Sequence, residues 1–156
     1  MRSLLLLNYK RQLAGFVLSV IFLVFATACA SIQLVSDYDA ETDKALTALQ
    51  RKIETLFVKL ESRAGTEAAK YDKFTAFYED VQVDLSALEM RNAIRPKNDL
   101  TIKQIGLLKD SINKMEELHK IGISAPEMVQ PIRDTINTSL RAMLKLELAK
   151  KRGEKK

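Results

Sequence analysis

The sequence is poor in the residues that build most compact chemical sites. Its 156 residues include no Trp, one Cys and one His. A zinc site built from Cys and His needs about four ligands, and a disulfide framework needs an even number of Cys, so both are excluded. Five Gly and three Pro are too few for a collagen-like or low-complexity chain. The only Cys–His nucleophilic pair available would use the single Cys and the single His.

The remaining composition is that of an ordinary globular domain. Apolar residues make up 47% of the chain and charged residues 29%, which argues against disorder and favours one domain. The net charge of +5 is unevenly distributed. Residues 141–156 contain seven basic and two acidic groups, whereas residues 29–140 contain 15 basic and 18 acidic groups. A mildly acidic body with a basic end is not the pattern of a nucleic-acid-binding protein.

The N-terminus has the layout of a secretory signal. Lys10 and Arg11 precede an apolar run, Phe16–Ala28, that ends in small residues. Thirteen residues span only about 20 Å as a helix, less than the ~30 Å hydrocarbon core of a bilayer. A basic segment before a short apolar run is typical of a signal peptide, which directs the following chain across the membrane.

The site after this run, Ala26-Thr27-Ala28-Cys29, resembles the lipobox of bacterial lipoproteins. The resemblance implies cleavage between Ala28 and Cys29, removal of residues 1–28, and covalent lipid on Cys29. Ala30, rather than Asp, follows the Cys, which in enterobacterial lipoproteins implies sorting to the outer membrane. The family prefers Leu where Ala26 stands, and Ala-Thr-Ala also suits ordinary signal peptidase. Ordinary secretion and an uncleaved anchor are therefore the alternatives.

The chain after Cys29 is predicted to form four amphipathic helices. After a tether at 29–36, the bundle is expected over 37–149, with helices at 37–64, 66–94, 99–121 and 125–149. Apolar residues recur every three or four positions, which is typical of coiled-coil-like seams. They are Leu46, Leu49, Ile53, Leu56 and Leu60; Tyr71, Phe74, Tyr78, Val81, Leu85 and Leu88; Ile105, Leu108, Ile112 and Met115; and Val129, Ile132, Ile136, Leu140, Met143 and Leu144. Strand patterns are missing, so we predict an all-α, antiparallel up-down four-helix bundle.

Residues with special backbone preferences mark the expected helix ends. Gly65 and Gly122 are expected to end the first and third helices in conformations that favour glycine. A capping box at Ser124–Glu127 is expected to start the fourth helix, and Pro131 to kink it or delay its start. The expected N-caps are Thr66 for the second helix and Asn98 or Asp99 for the third.

The bundle topology predicts a place for the basic tail, residues 150–156. Four antiparallel helices return the chain to the end at which it began, next to the anchor at Cys29. Basic side chains near anionic headgroups contribute about 1 kcal/mol each, so we expect a membrane-surface contact. The residues concerned are Lys150, Lys151, Arg152, Lys155 and Lys156. The alternative is a solvated helix end, and removal of 150–156 is expected to leave the bundle folded.

No constellation of residues predicts a catalytic, metal or cofactor site. Glu116 and His119 have the Glu-x-x-His spacing of di-iron bundles, but such a site needs a second His, and His119 falls on the helix-three seam. Charged neighbours such as Glu147 and Lys150 are expected to lie on solvated helix faces. The aromatic cluster around Tyr71 to Tyr78 is expected to be core.

Three apolar residues of the second helix, Phe77, Val83 and Met90, lie off its seam. Together they indicate a second apolar face that could bind a partner protein. Homo-oligomers are also possible, because coiled-coil-like seams fit intermolecular bundles as well as intramolecular ones.

The expected function is that of a lipid-anchored periplasmic protein, a non-catalytic structural or adaptor subunit of an envelope assembly. The helical body resembles small helical lipoproteins of Gram-negative bacteria, although this resemblance assigns no functional residue. One alternative is a carrier of an apolar ligand or lipid in the bundle core. A lesser alternative is a cell-wall tether, because Lys156 is similar to the last Lys of the major outer-membrane lipoprotein of enteric bacteria, which is joined to peptidoglycan.

Overall fold

The computed structural model describes residues 35–154, which form helices and no strand. Three short 3₁₀ turns lie in the connections between the helices. The α-helices are α1 (Ala40–Arg63), α2 (Thr75–Ala93), α3 (Asp99–Ile121) and α4 (Val129–Gly153), and the 3₁₀ turns are Glu67–Ala69, Tyr71–Lys73 and Pro126–Met128. The all-α four-helix bundle predicted from the sequence is confirmed.

The helices pack in a ring. Each helix contacts the next one along the chain, and α4 packs against α1 to close the bundle. The backbone N–H of Tyr38 donates to Glu154 Oε1 at 2.9 Å, so the two ends of the described chain meet at one end of the bundle. This arrangement is the up-down-up-down topology that short connections between antiparallel helices favour.

The core is built from the predicted seams. Nearly every seam residue is less than one-tenth exposed, and Tyr71, Ile132 and Leu144 pack against the core while partly buried. Phe57, one position from the α1 seam, is also fully buried. Because these residues recur every three or four positions, each helix buries a narrow stripe and leaves its polar side chains in water.

The segment between α1 and α2 differs from the prediction. The second helix was expected to begin at Thr66, but α2 begins at Thr75 after two 3₁₀ turns. In an α-helix, the Ala69 carbonyl would accept from the N–H of Lys73. That N–H donates to Lys70 O instead, and the Ala69 carbonyl accepts from His119 Nε2 at 2.7 Å. A contact across the bundle therefore replaces a local helix bond.

Gly65 ends α1 as predicted and also joins the two long connections. Its φ is +75°, a left-handed conformation that favours glycine. Its N–H donates to Ile123 O at 2.9 Å, and a Cβ at this position would come within 2.8 Å of the Ser124 carbonyl oxygen. A side chain here would push the two connections apart.

Gly122 ends α3 as predicted, but the predicted N-caps of α3 and α4 are wrong in detail. Asn98 is the N-cap of α3, but its side chain makes no capping hydrogen bond. The Ser124 hydroxyl contacts Met128 Sδ at 3.2 Å, so the capping box does not form. The α4 helix begins at Val129, so Pro131 lies in its first turn. The missing N–H of proline breaks no helix hydrogen bond at this position.

Candidate functional site

One face of α2 carries large apolar side chains in water. Val83, Met90 and Ile94 are 68%, 73% and 83% exposed. At about 100° per residue they fall on the side of α2 opposite its buried seam. Ala87, also exposed, lies between them on the same stripe. We call these four residues, Val83, Ala87, Met90 and Ile94, the α2 outer face.

Two of the three predicted partner-face residues lie on this surface, and Phe77 does not. Phe77 is partly buried and packs against the core, with its ring 5.3 Å from that of Tyr78 in an edge-to-face arrangement. The helical turn explains the difference, because position 77 is rotated by about 120° from position 83. Ile94 was not assigned to the partner face, although the predicted second helix ended at this residue; it is the C-cap of α2, where the helical backbone conformation continues.

Phe77 instead lines a shallow groove between α1 and α2. The groove has a volume of about 260 Å³, and its apolar wall is formed by Leu56, Phe74 and Phe77. Lys52 and Lys59 also line it. Lys52 is paired with Asp84, with 2.7 Å between Nζ and Oδ2, whereas the Lys59 ammonium has no partner among residues 35–154.

The predicted membrane contact at Lys150 is wrong. Its side chain is 2% exposed, and Nζ donates to Glu147 Oε1 at 2.6 Å and Thr101 Oγ1 at 2.9 Å. Asn98 Oδ1 accepts a third hydrogen bond at 3.2 Å. Glu147 is equally buried, so the expectation of a solvated Glu147/Lys150 pair is also wrong.

The spacing of the α4 seam predicts that Glu147 and Lys150 are buried. Positions 136, 140, 143, 147 and 150 continue the alternating steps of four and three, and all five are buried. The apolar pattern stops at Met143 because charged residues occupy the next two seam positions. The predicted boundary of the basic tail at residue 150 is therefore wrong, because α4 continues to Gly153. Removing residues from Lys150 onward should destabilise the bundle, contrary to the sequence-based expectation.

Lys150 belongs to a buried polar network at the end of the bundle where the chain termini meet. The Ser36 hydroxyl donates to Asn98 Oδ1 at 2.7 Å, and Asn98 Nδ2 donates to Asn92 Oδ1 at 2.7 Å. Asn92 Nδ2 in turn donates to Thr42 Oγ1 at 3.2 Å. The sequence predicts Ser36 as part of the tether, but it is 6% exposed and is part of the folded body.

Asp39 anchors the start of α1 to the end of α2. Its carboxylate accepts from Arg91 Nε at 2.6 Å and Nη2 at 2.9 Å, and it caps α1 through the N–H of Thr42. The hydrogen bonds from Arg91 hold the pKa of Asp39 well below its usual range, and those from Thr42 act in the same direction. The chain therefore enters α1 clamped to the neighbouring helix.

The remaining predicted anchor and tail residues have different positions. Lys151 and Arg152 are exposed on the last turn of α4, where Lys151 Nζ lies 5.0 Å from the centre of the Tyr38 ring. Ala28, Cys29, Lys155 and Lys156 lie outside the described residues. Of the five predicted membrane contacts, Lys151 and Arg152 thus remain accessible within residues 35–154.

The opposite end of the bundle holds the single histidine. His119 is 1% exposed; its Nε2–H donates to Ala69 O, and its Nδ1 accepts from the Tyr78 hydroxyl at 2.9 Å. Because a carbonyl oxygen can only accept, Nε2 carries the proton of its hydrogen bond to Ala69. Burial raises the pKa of Tyr78 well above its ordinary value, which keeps its hydroxyl protonated as a donor.

Glu116, the other residue of the Glu-x-x-His spacing, lies outside this buried pair. Its carboxylate accepts from Lys120 and from the Tyr71 hydroxyl, and these two donors lower its pKa. Glu116 and His119 thus have separate partners. Residues 35–154 contain no cluster of three or more His, Cys, Asp or Glu side chains that could hold a metal ion.

Comparisons with known protein families, with curated proteins and with solved structures find no match to this chain. Among the helices of the described part of the chain, none is long and apolar enough to cross a membrane. The candidate site therefore rests on the geometry of residues 35–154.

Proposed function

We propose that this chain is a lipid-anchored periplasmic protein that acts as a structural or adaptor subunit of an envelope assembly and binds its partner through the α2 outer face. The observation that carries the binding role is the exposure of Val83, Met90 and Ile94 on the side of α2 opposite the core. Exposed apolar residues that share one face mark interaction surfaces more often than isolated ones do.

The proposed anchor would hold this surface close to a bilayer. Cys29 is the lipidated residue in this proposal, and only residues 30–35 separate it from Ser36, the first buried residue of the bundle. Six residues reach at most about 20 Å, so the bundle stays near the membrane surface. Confinement there raises the effective concentration of a membrane-associated partner without any additional contact.

The anchor is tested by the intact mass of the N-terminal peptide from membrane-fraction protein expressed with its own signal. We expect a peptide that begins at Cys29 and carries acyl chains. An unmodified Cys29 would leave a secreted bundle with a free thiol, and an intact Met1 would indicate an uncleaved helix. Either result would remove the lipid anchor from the proposal.

The binding surface is tested by photo-cross-linking in native membranes. A photoreactive amino acid replaces Met90 in one variant and Thr138, an exposed residue of α4, in the control. We expect a discrete cross-linked product from position 90 and none from position 138. Equal products from the two positions, or none from either, would show that the α2 outer face is not a specific binding surface.

A second candidate function, the carrier of an apolar ligand, is favoured by the groove at Leu56, Phe74 and Phe77. This groove lies at the surface between α1 and α2, so any ligand would sit outside the core position first expected. The test is extraction of protein purified from membranes, followed by mass spectrometry of bound small molecules. The carrier role predicts a stoichiometric apolar compound that is lost in Phe77→Ala and retained in Leu107→Ala, which alters an exposed residue of α3.

A further inference from the structure

Two residues of the α2 outer face, Val83 and Met90, can pair with each other in a second copy of the chain. Val83 and Met90 lie at equal distances along the chain from the midpoint between Ser86 and Ala87. Both central residues are small and exposed, which permits close approach of a second helix. If a copy of α2 crosses this midpoint in the antiparallel direction, Val83 of each copy meets Met90 of the other. A two-fold axis produces this pairing, in which one surface binds itself.

The charges flanking this stripe differ in sign between the two ends of α2. Glu79 and Asp80 lie exposed in the N-terminal half of α2. Arg91 lies exposed in its last turn, and Lys97 lies exposed in the connection four residues after its last residue, Ala93. The Glu79 carboxylate and the Lys97 ammonium have no partner among residues 35–154. Antiparallel pairing brings the acidic half of each copy to the basic end of the other, whereas parallel pairing would place like charges together.

We propose that the partner of the α2 outer face is a second copy of this chain, packed antiparallel about the midpoint between Ser86 and Ala87. This inference rests on the proposed function, because it names the occupant of the same face. The apolar pairs between Val83 and Met90 form the centre of the interface, and the unpaired charges of Glu79 and Lys97 form its rim. The arrangement closes on itself and gives a dimer rather than a filament.

The pairing fixes how such a dimer lies on a membrane. Both chain ends of each bundle are at one end, so antiparallel packing places the two anchor ends at opposite ends of the dimer. The α4 helix alone is about 37 Å long, more than the ~20 Å that the tether can reach. Two upright antiparallel bundles could not both be anchored in one bilayer. The dimer therefore lies with its helices along the membrane surface.

Cysteine cross-linking of the full chain in its native membranes tests the pairing. Single Cys residues replace Ala87, Glu79 and Ile94, and oxidation is followed by non-reducing electrophoresis. We expect Ala87→Cys to form a disulfide-linked dimer. Glu79→Cys and Ile94→Cys should each fail to pair with themselves, because position 79 of one copy lies about 22 Å from position 79 of the other. Co-expression of these two variants should restore the cross-link. The unaltered chain controls for Cys29.

Each other outcome contradicts the proposal in a distinct way. Self-pairing at 79, 87 and 94 alike would indicate parallel helices and overturn the antiparallel dimer. If no disulfide forms at 87 and the photoreactive residue at Met90 gives a product with another protein, the self-pairing is wrong but the proposed adaptor function stands. If both the disulfide and the photo-product are missing, the self-pairing and the binding role of this face fail together.

Substitutions separate the apolar and charged parts of the interface. Val83→Glu combined with Met90→Glu should raise the dimer dissociation constant about 10,000-fold, because four large side chains leave the interface and burial of each contributes roughly tenfold. Leu107→Glu, at a residue of α3 that is 55% exposed, is the matched control and should leave the constant unchanged. Glu79→Lys should weaken the dimer, and adding Lys97→Glu should restore it. A dimer that is insensitive to the double variant, or a charge reversal without rescue, would overturn the interface.

Discussion

The two ends of the bundle are stabilised by different chemistry. Where the chain termini meet, the core gives way to hydrogen-bonded polar groups, with Asn92 and Asn98 buried beside the Glu147–Lys150 ion pair. At the opposite end, aromatic rings surround His119: the centre of the Phe74 ring lies 5.3 Å from that of His119, and that of Tyr78 lies 5.8 Å from it. One end is held by directional contacts between charges and amides, and the other mainly by packing.

This difference indicates what each end contributes. Apolar packing tolerates small shifts between helices, whereas a lysine with three fixed acceptors is satisfied in one arrangement only. Buried ion pairs add little net stability, because desolvation offsets their attraction, but they disfavour alternative packings. We infer that the polar end sets the register of α3 against α4. It also fixes the position at which the N-terminal segment enters the bundle, through Ser36 and Asp39.

The largest predicted effect follows from breaking the buried ion pair. Lys150→Met should lower the free energy of unfolding by about 3–5 kcal/mol, because it leaves the Glu147 carboxylate buried without a cation. Glu147 Oε2 has no hydrogen-bond partner within residues 35–154, so no other contact there compensates. Chemical denaturation monitored by circular dichroism measures the change.

The control for this prediction removes both charges. Glu147→Gln combined with Lys150→Met should recover most of the lost free energy, since the uncompensated charge is gone. If Lys150→Met costs less than about 1 kcal/mol, the ammonium group is not buried as described, and the contrast between the two ends disappears.

At the aromatic end, His119→Phe should cost about 2–3 kcal/mol. Phe keeps an aromatic ring at this site, but the Ala69 carbonyl and the Tyr78 hydroxyl both lose their partner. Tyr78→Phe removes only one of these bonds and should cost about half as much. Thermal or denaturant unfolding distinguishes the two variants, and equal costs would show that packing rather than hydrogen bonding determines this end.

The sequence predicted the fold from the spacing of apolar residues alone. The seams of all four helices are confirmed, because burial of one helix face depends on a periodicity that any single chain displays. The two polar clusters could not be predicted in the same way. Ala69 and His119 are 50 residues apart, and Ser36 and Asn98 are 62 apart, so nothing local in the sequence pairs them.

The outer surfaces were only partly predictable for a related reason. Counting positions along the helix placed Val83 and Met90 off the buried seam. The same count also placed Phe77 off the seam and could not show that its side chain packs against the core. Lys150 is the opposite case, a residue that the sequence places in water and the structure buries. Its position continues the α4 seam, but a lysine is rarely buried without a partner, and the partners Thr101 and Asn98 lie on another helix.

A smaller, pH-dependent effect is expected at Asp39. Asp39→Asn keeps an oxygen to cap α1 but loses the charge that Arg91 binds, and should cost about 1–2 kcal/mol near pH 7. Because Arg91 lowers the folded-state pKa of Asp39, this contribution is complete above the unfolded-state pKa of about 4 and declines as the pH falls below it. The stability difference between the two proteins, measured by denaturation from pH 7 to pH 2, should therefore narrow at acid pH. A constant difference would show that the charge is unimportant.

The smallest effect tests which lysines at the polar end contact a membrane. In isolated membranes, an amine-reactive reagent should label Lys151 a few-fold more slowly than in detergent, because nearby anionic headgroups restrict access to it. Lys150 should react in neither until the protein unfolds, since its ammonium group is enclosed by three acceptors. If Lys151 is labelled as fast in membranes as in detergent, the proposed anchor does not bring the polar end of the bundle to the bilayer. Rapid labelling of Lys150 in the folded protein would contradict the buried polar network itself.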